Sequence, residues 1–184
     1  FTVLLASVLH YRKDVRVAVV DCDSPQHSIA LMRERDMENV MKNDDLKVSL
    51  YRQHERIRKP AYPVIKSDPE KGVEDLRRYM DEKGETFDIV LFDLPGTLRS
   101  EGVVHTVAAM DYIFVPLKAD NIVMQSSLQF TKVLEEELIA KGNCNLKGIR
   151  LFWNMVDRRG RKNLYDAWNR VIHRMGLRLL SSHI

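Results

Sequence analysis

No apolar run in this chain approaches the ~20 residues needed to cross a bilayer, and no secretory leader is visible. A membrane-spanning or exported protein is therefore not expected. Cysteine is scarce: Cys22 and Cys144 show no metal-ligand spacing, which argues against a disulfide framework and suits a reducing cytoplasm. The histidines His10, His27, His54, His105, His173 and His183 form no ligand pattern either and read as surface or helix residues. Ser126 and Ser127 fall in a helical stretch without an evident base, which removes a serine hydrolase. There is no internal repeat and no low-complexity segment.

What is present suits one globular domain over residues 1–184, 45% hydrophobic and 30% charged. The net charge of +3 is small, so only its distribution can matter. From Asp157 to Arg178 there are seven Arg or Lys (Arg158, Arg159, Arg161, Lys162, Arg170, Arg174 and Arg178) against Asp157 and Asp166. That local excess of basic residues can hold phosphate backbones or form an ordinary solvated helix face.

The stretch Phe87-Asp88-Ile89-Val90-Leu91-Phe92-Asp93-Leu94-Pro95-Gly96 organises the reading. Four apolar residues between two aspartates, closed by Pro-Gly, predict a strand buried on both faces of a parallel sheet. Asp93 then stands at the strand's carboxyl end, where open α/β sheets bind ligands. Asp88 lies roughly 16 Å away at the other end and cannot share its site. A plainer role for Asp93, capping a helix or closing a turn, stays open.

The chain begins in a helical stretch, Thr2 to Tyr11, and the expectation is that further sequence lies upstream. Val15 to Val20 predicts a second buried strand, ending in Asp21-Cys22-Asp23-Ser24-Pro25-Gln26. Ser28 to Lys59 predicts peripheral helices able to meet a partner. Tyr62 to Ile65 predicts a short edge strand, and Asp68-Pro69-Glu70 predicts the start of a helix reaching Lys83. After a loop and short helix over residues 97–109, Tyr112 to Pro116 predicts a strand. Asp120 or Asn121 caps a helix running to Ala140. Ile149 to Asn154 predicts the next strand, followed by a basic helix from Lys162 to Met175 and an extended piece, Leu177 to Ile184. Trp153 and Trp168 read as packing residues. Alternating apolar strands and helices select an α/β fold, a doubly wound and mainly parallel sheet with helices on both faces. Three strands end in polar groups, Asp21/Asp23, Asp93 and Asn154/Asp157, which predicts a ligand site along one sheet edge.

The segment ending in Asp93 resembles a Walker B strand, whose carboxylate holds water ligands of Mg²⁺. Val19-Val20-Asp21-Cys22-Asp23-Ser24-Pro25-Gln26 resembles the second acidic motif of the ParA/MinD partition ATPases. Together with Asp111 to Leu117 and Asn154 to Arg159, the chain is similar to that deviant P-loop family nearly throughout, and most to its conjugal transfer members.

The resemblance implies a P-loop NTPase-like fold and an ATP hydrolase that uses ATP and Mg²⁺. It assigns Asp23 to orienting the attacking water, Asp21 to supporting the phosphate-binding lysine and the magnesium shell, and Asp93 to the metal. It gives Asn154, Pro116 and Asp157 to the nucleotide. It further implies a nucleotide-bound homodimer, non-specific DNA and a partner protein, in DNA partition or conjugative transfer, within the cytoplasm. Here Ser24 stands between Asp23 and Pro25-Gln26, a departure from the family's usual Asp-x-Asp-Pro-Gln. The Gly-rich loop and its lysine do not occur in these residues and are expected before Phe1; a C-terminal membrane-targeting tail is open. Two other readings stand beside this one: a non-hydrolysing nucleotide- or partner-binding module on the same fold, and a small-molecule ligase on a related scaffold.

Overall fold

Four small apolar residues and an aspartate make β1 (Val17–Asp21), and every one of them is buried. Covering a valine fully from water is worth roughly 1.5–3 kcal/mol, so this short strand anchors its surroundings. The computed structural model describes residues 1–96, 101–140, 142, 144–156 and 162–184. They divide into two units, Phe1–Thr106 and Val107–Ile184.

In the first unit β1 lies between β2 (Val64–Lys66) and β3 (Ile89–Asp93), all parallel. The middle place belongs to β1 and not to the Asp93 strand, which pairs on one side only in this sheet. That difference explains its burial: β3 is half-buried, with Ile89 exposed, where two-sided burial was expected. Because side chains alternate across a strand, Val17, Val19 and Asp21 share one face. On that face Val17 and Val19 pack with Ala6 of α1 (Thr2–Ser7), Ile29 of α2 (Ser28–Lys42), and Tyr62. The first helix continues as a wider π-helical turn over Val8–Arg12.

Behind the sheet, α4 (Gly72–Lys83) comes so close that a Cβ on Gly72 would stand 2.8 Å from the Cys22 sulfur and 3.2 Å from the Phe92 ring. Glycine is the residue that fits. The helix begins at Gly72 and not at Asp68, because the Lys71 N–H donates to the Asp68 carbonyl at 3.0 Å and makes a turn first. Between α2 and β2 lies α3 (Asp44–Ile57), which has no buried residue. His10 is a helix residue, one of the two expected places, but it and His27, which precedes α2, are buried and not on the surface. His10 donates from Nε2 to the Pro60 carbonyl at 2.9 Å and meets the Tyr11 and Tyr62 rings edge-on. A short helix, α5 (Glu101–Ala108), leads out of this unit.

The second unit holds β4 (Tyr112–Leu117), β5 (Gly148–Trp153) and β6 (Leu179–His183), parallel and in that order. Pro116 sits in β4, an edge strand of this sheet, where a missing N–H is tolerated. Asp120 caps α6 (Asn121–Leu134), accepting from the N–H groups of Ile122 and Val123 at 2.9 and 3.1 Å. Leu117, Met124, Leu134, Leu151 and Ile172 are among its fully buried side chains, the last from α7 (Lys162–Arg174). Trp153 is buried as expected, its indole N–H held by Asn169 at 2.9 Å. Parallel sheets flanked by helices make this an α/β fold, as the strand pattern predicted, with the described ladders forming two three-stranded sheets.

Candidate functional site

Parallel register brings three side chains into one row at the carboxyl edge of the first sheet. Asp21 pairs with Asp93 on one side and with Lys66 on the other. Each occupies the same face as its neighbours, since the register is common to all three strands.

Asp21 is fully buried and hydrogen-bonded to backbone. Its Oδ2 accepts from the N–H groups of Ile29 and Ala30 at 3.0 and 2.9 Å, satisfying donors in the first turn of α2. Its Oδ1 accepts from the Asp23 N–H at 3.3 Å. A carboxylate at a helix N-terminus also opposes the positive end of the helix dipole. His27, at φ +41°, turns the chain into that helix, and its Nδ1 donates to the Asp21 carbonyl at 3.2 Å.

Asp93 is only half-buried. Its Oδ1 accepts from the Thr2 hydroxyl at 2.9 Å, which ties the first residue of α1 to the end of β3. Burial raises the Asp93 carboxyl above its ordinary range; the Thr2 bond pulls it down, while the charges of Asp21 and Asp23 push it further up. Such a group gains from a nearby cation. Asp23 follows Asp21 by two residues and is half-buried, ahead of the Ser24–Pro25 bond, which is cis.

Asp88 stands at the opposite end of β3, as its spacing required. Arg16 grips it with Nη2 and Nε, and the Arg16 N–H adds a third bond at 3.0 Å. That grip holds the Asp88 carboxyl down at about 2. Cys22, next to the site, is an inert thiol: burial, then the nearby carboxylates, pushes it up to about 12.

Pro116 and Asn154 belong to the second unit, near the carboxyl ends of β4 and β5, where the Asn154 N–H donates to the Leu117 carbonyl at 2.8 Å. Asp157 lies outside the described residues, as do Arg158, Arg159 and Arg161. Sequence reasoning missed Thr2 and Lys66. Thr2 offered no signal beyond opening a helix, and Lys66 had one: it is the first polar residue after Val64-Ile65, at a strand's carboxyl end.

Among the described residues no group of three or more His, Cys, Asp or Glu is placed to hold a metal ion. A single carboxylate with one oxygen left over, as Asp93 has beside its bond from Thr2, is instead enough for Mg²⁺, since that ion keeps much of its water and shares its ligands with phosphate.

A family model described as ATPase MipZ matches residues 2–128, from the Thr2 helix through the acidic row and beyond β4. The chain belongs to the MipZ ATPase family. This is a family of the ParA/MinD type, as the acidic motifs implied. Among solved structures, a chain titled "Partition Protein" is similar with a TM-score of 0.58 and 18% identity, over 99% of this chain and 62% of its own. That likeness is one of fold. This chain therefore spans less than two thirds of that partition protein's length. No curated protein matches it. None of the described helices is long and apolar enough to cross a membrane.

Proposed function

We propose that this MipZ-family chain is the nucleotide-binding part of a Mg²⁺-dependent ATPase that works as an ATP-controlled dimer in DNA partition or conjugative transfer. The observation that carries the reading is the in-register pair Asp21 and Asp93, with Thr2 on one acid and the Asp23 backbone on the other. Magnesium, when bound with nucleotide, supplies charge neutralisation on the phosphates.

Asp93 would hold that ion through water by Oδ2, the oxygen Thr2 leaves free. Asp23 would orient the water that attacks the γ-phosphorus as the bond to the ADP oxygen breaks. Asp21 would act one step back, fixing the Asp23 backbone and the start of α2 through the bonds it already makes. Asn154 would read the adenine edge, with Pro116 flanking the base and Asp157 close by in sequence. Phosphoryl transfer asks mainly for positioning and charge, and these groups can supply both. DNA would be held by basic side chains on and after α7, of which Arg170, Arg174 and Arg178 are exposed. A partner protein would couple turnover to transfer.

Mg-ATP titration of the intact protein, with phosphate release from wild type and Asp23→Ala measured side by side, tests the reading. Binding in both and release in the wild type alone is expected. Undetectable Mg-ATP affinity would end it, and equal background rates would leave a binding module without turnover. DNA affinity carried by phosphate contacts falls steeply with salt, so salt-indifferent binding would remove the basic-face part.

A further inference from the structure

Beside the acidic row, past Lys66, the carboxyl end of β2 opens into a cleft of about 320 Å³. Its walls come from the end of β2, from His27 in the turn into α2 and from the start of α4, and every lining side chain is polar. Pockets for drug-sized molecules are lined mainly by apolar and aromatic groups, so this one suits a small ion together with water.

The charges on the walls decide the sign of that ion. Asp75 has both oxygens taken, Oδ1 by Arg78 Nη2 and Oδ2 by the Ser67 hydroxyl, each at 2.5 Å. Asp68 Oδ2 stands 3.9 Å from Lys71 Nζ, too far for a hydrogen bond. Lys66 makes no ion pair among the described residues. Asp75 and Arg78 therefore cancel, Asp68 answers one lysine at most, and a positive charge is left over. The start of α4, at the same wall, adds the positive end of its dipole. An anion fits this cleft.

His27 decides which anion. It is only 7% exposed, yet it lines the cleft. Its Nδ1 donates to the Asp21 carbonyl at 3.2 Å, so in the neutral ring Nε2 carries the lone pair, and Nε2 has no hydrogen-bond partner among the described residues. A nitrogen of that kind is satisfied by a donor. Sulfate and phosphate-ester dianions carry no proton to donate. Hydrogen phosphate has one, on a hydroxyl, beside oxygens that accept from ammonium groups.

We propose that this cleft binds inorganic hydrogen phosphate, whose hydroxyl donates to His27 Nε2 and whose oxygens accept from Lys66 and Lys71. The same ion is what ATP hydrolysis releases, but the site uses none of the groups assigned to nucleotide or metal, so it stands or falls apart from the ATPase reading.

Histidine-ring NMR of the intact protein, with the His27 signal assigned through His27→Asn, tests it. At about pH 8 and constant ionic strength, inorganic phosphate should move the His27 signal saturably, with a midpoint of about 1–10 mM. Lys66→Ala combined with Lys71→Ala, both side chains being exposed, should weaken that response about 10-fold and leave the protein folded. Sulfate and methyl phosphate are dianions without a proton at that pH and should bind about 10-fold more weakly than phosphate. A His27 signal that does not saturate by about 50 mM phosphate would overturn the proposal. So would a double variant that responds like the wild type, or sulfate or methyl phosphate binding as tightly as phosphate.

Discussion

The Thr2 hydroxyl donates to Asp93 Oδ1 at 2.9 Å, although 91 positions separate the two residues in the chain. This bond lowers the cost of keeping a half-buried carboxylate ionised. Asp93 has its folded pKa raised, so between the unfolded value and the folded one the native state binds more protons than the unfolded chain. Its contribution therefore favours folding at low pH and is lost as pH rises from the ordinary carboxylate range through the folded value. Thr2→Val should widen that loss, costing about 1 kcal/mol at neutral pH after allowing for solvent at a partly exposed site. Asp93→Asn should remove Asp93's share of the pH dependence and leave stability without nucleotide unchanged or higher, while Mg-ATP binding weakens. Urea unfolding across pH 3–8, read against nucleotide titration, separates these effects.

Asp21 should behave in the opposite way. It is fully buried and holds the Ile29 and Ala30 N–H groups, so Asp21→Ala leaves two donors in the first turn of α2 without an acceptor. A loss of roughly 2–4 kcal/mol is expected from the missing cap and stranded donors. Asp21→Asn, retaining one acceptor, should lose less. Denaturation midpoints measured beside Asp93→Asn would show which acid is structural.

Gly72→Ala should destabilise by about 1–3 kcal/mol, because the new methyl meets the Cys22 sulfur at 2.8 Å in a packed interior. Cys22→Ala opens that space. In the Cys22→Ala background the same change should cost far less, and a double-mutant cycle reads the difference as coupling. Additive losses would show that the sulfur is not the obstacle.

At the other end of β3, Arg16 and Asp88 make a measurable acid response. Asp88 has its folded value lowered to about 2, so its stabilisation is present above the unfolded value near ~3.9 and is lost as pH falls between them. Asp88→Asn should flatten the stability profile in that window, removing at neutral pH the stabilisation the pair gives there and changing little once both carboxyls would be protonated. The pair is exposed, so added salt should shrink the effect.

The strands were legible because four-residue apolar runs ending in acids have few other uses, and Pro63 read correctly as the marker of an edge strand. Which strand lies in the middle was not legible: β1 and β3 have similar runs, and their order in space is fixed by partners elsewhere in the chain. The acids of the site announced themselves by standing after strands. Thr2 did not, since only the packing of α1 against the sheet brings its hydroxyl to Asp93. The Ser28 to Lys59 region was correctly helical and peripheral, but propensity alone does not say that α3 would find almost nothing to pack on. Gly72 looked like one more helix residue until Cys22 and Phe92 closed around it.

The common register of β2, β1 and β3 sets a rule for insertions and deletions. Removing one residue from within Val17–Val20 would turn Asp21 to the α4 side and part it from both Asp93 and Lys66, whereas the same loss in the α2–α3 hairpin would leave the row untouched. Length variation among relatives of this chain should therefore collect in that hairpin and avoid β1.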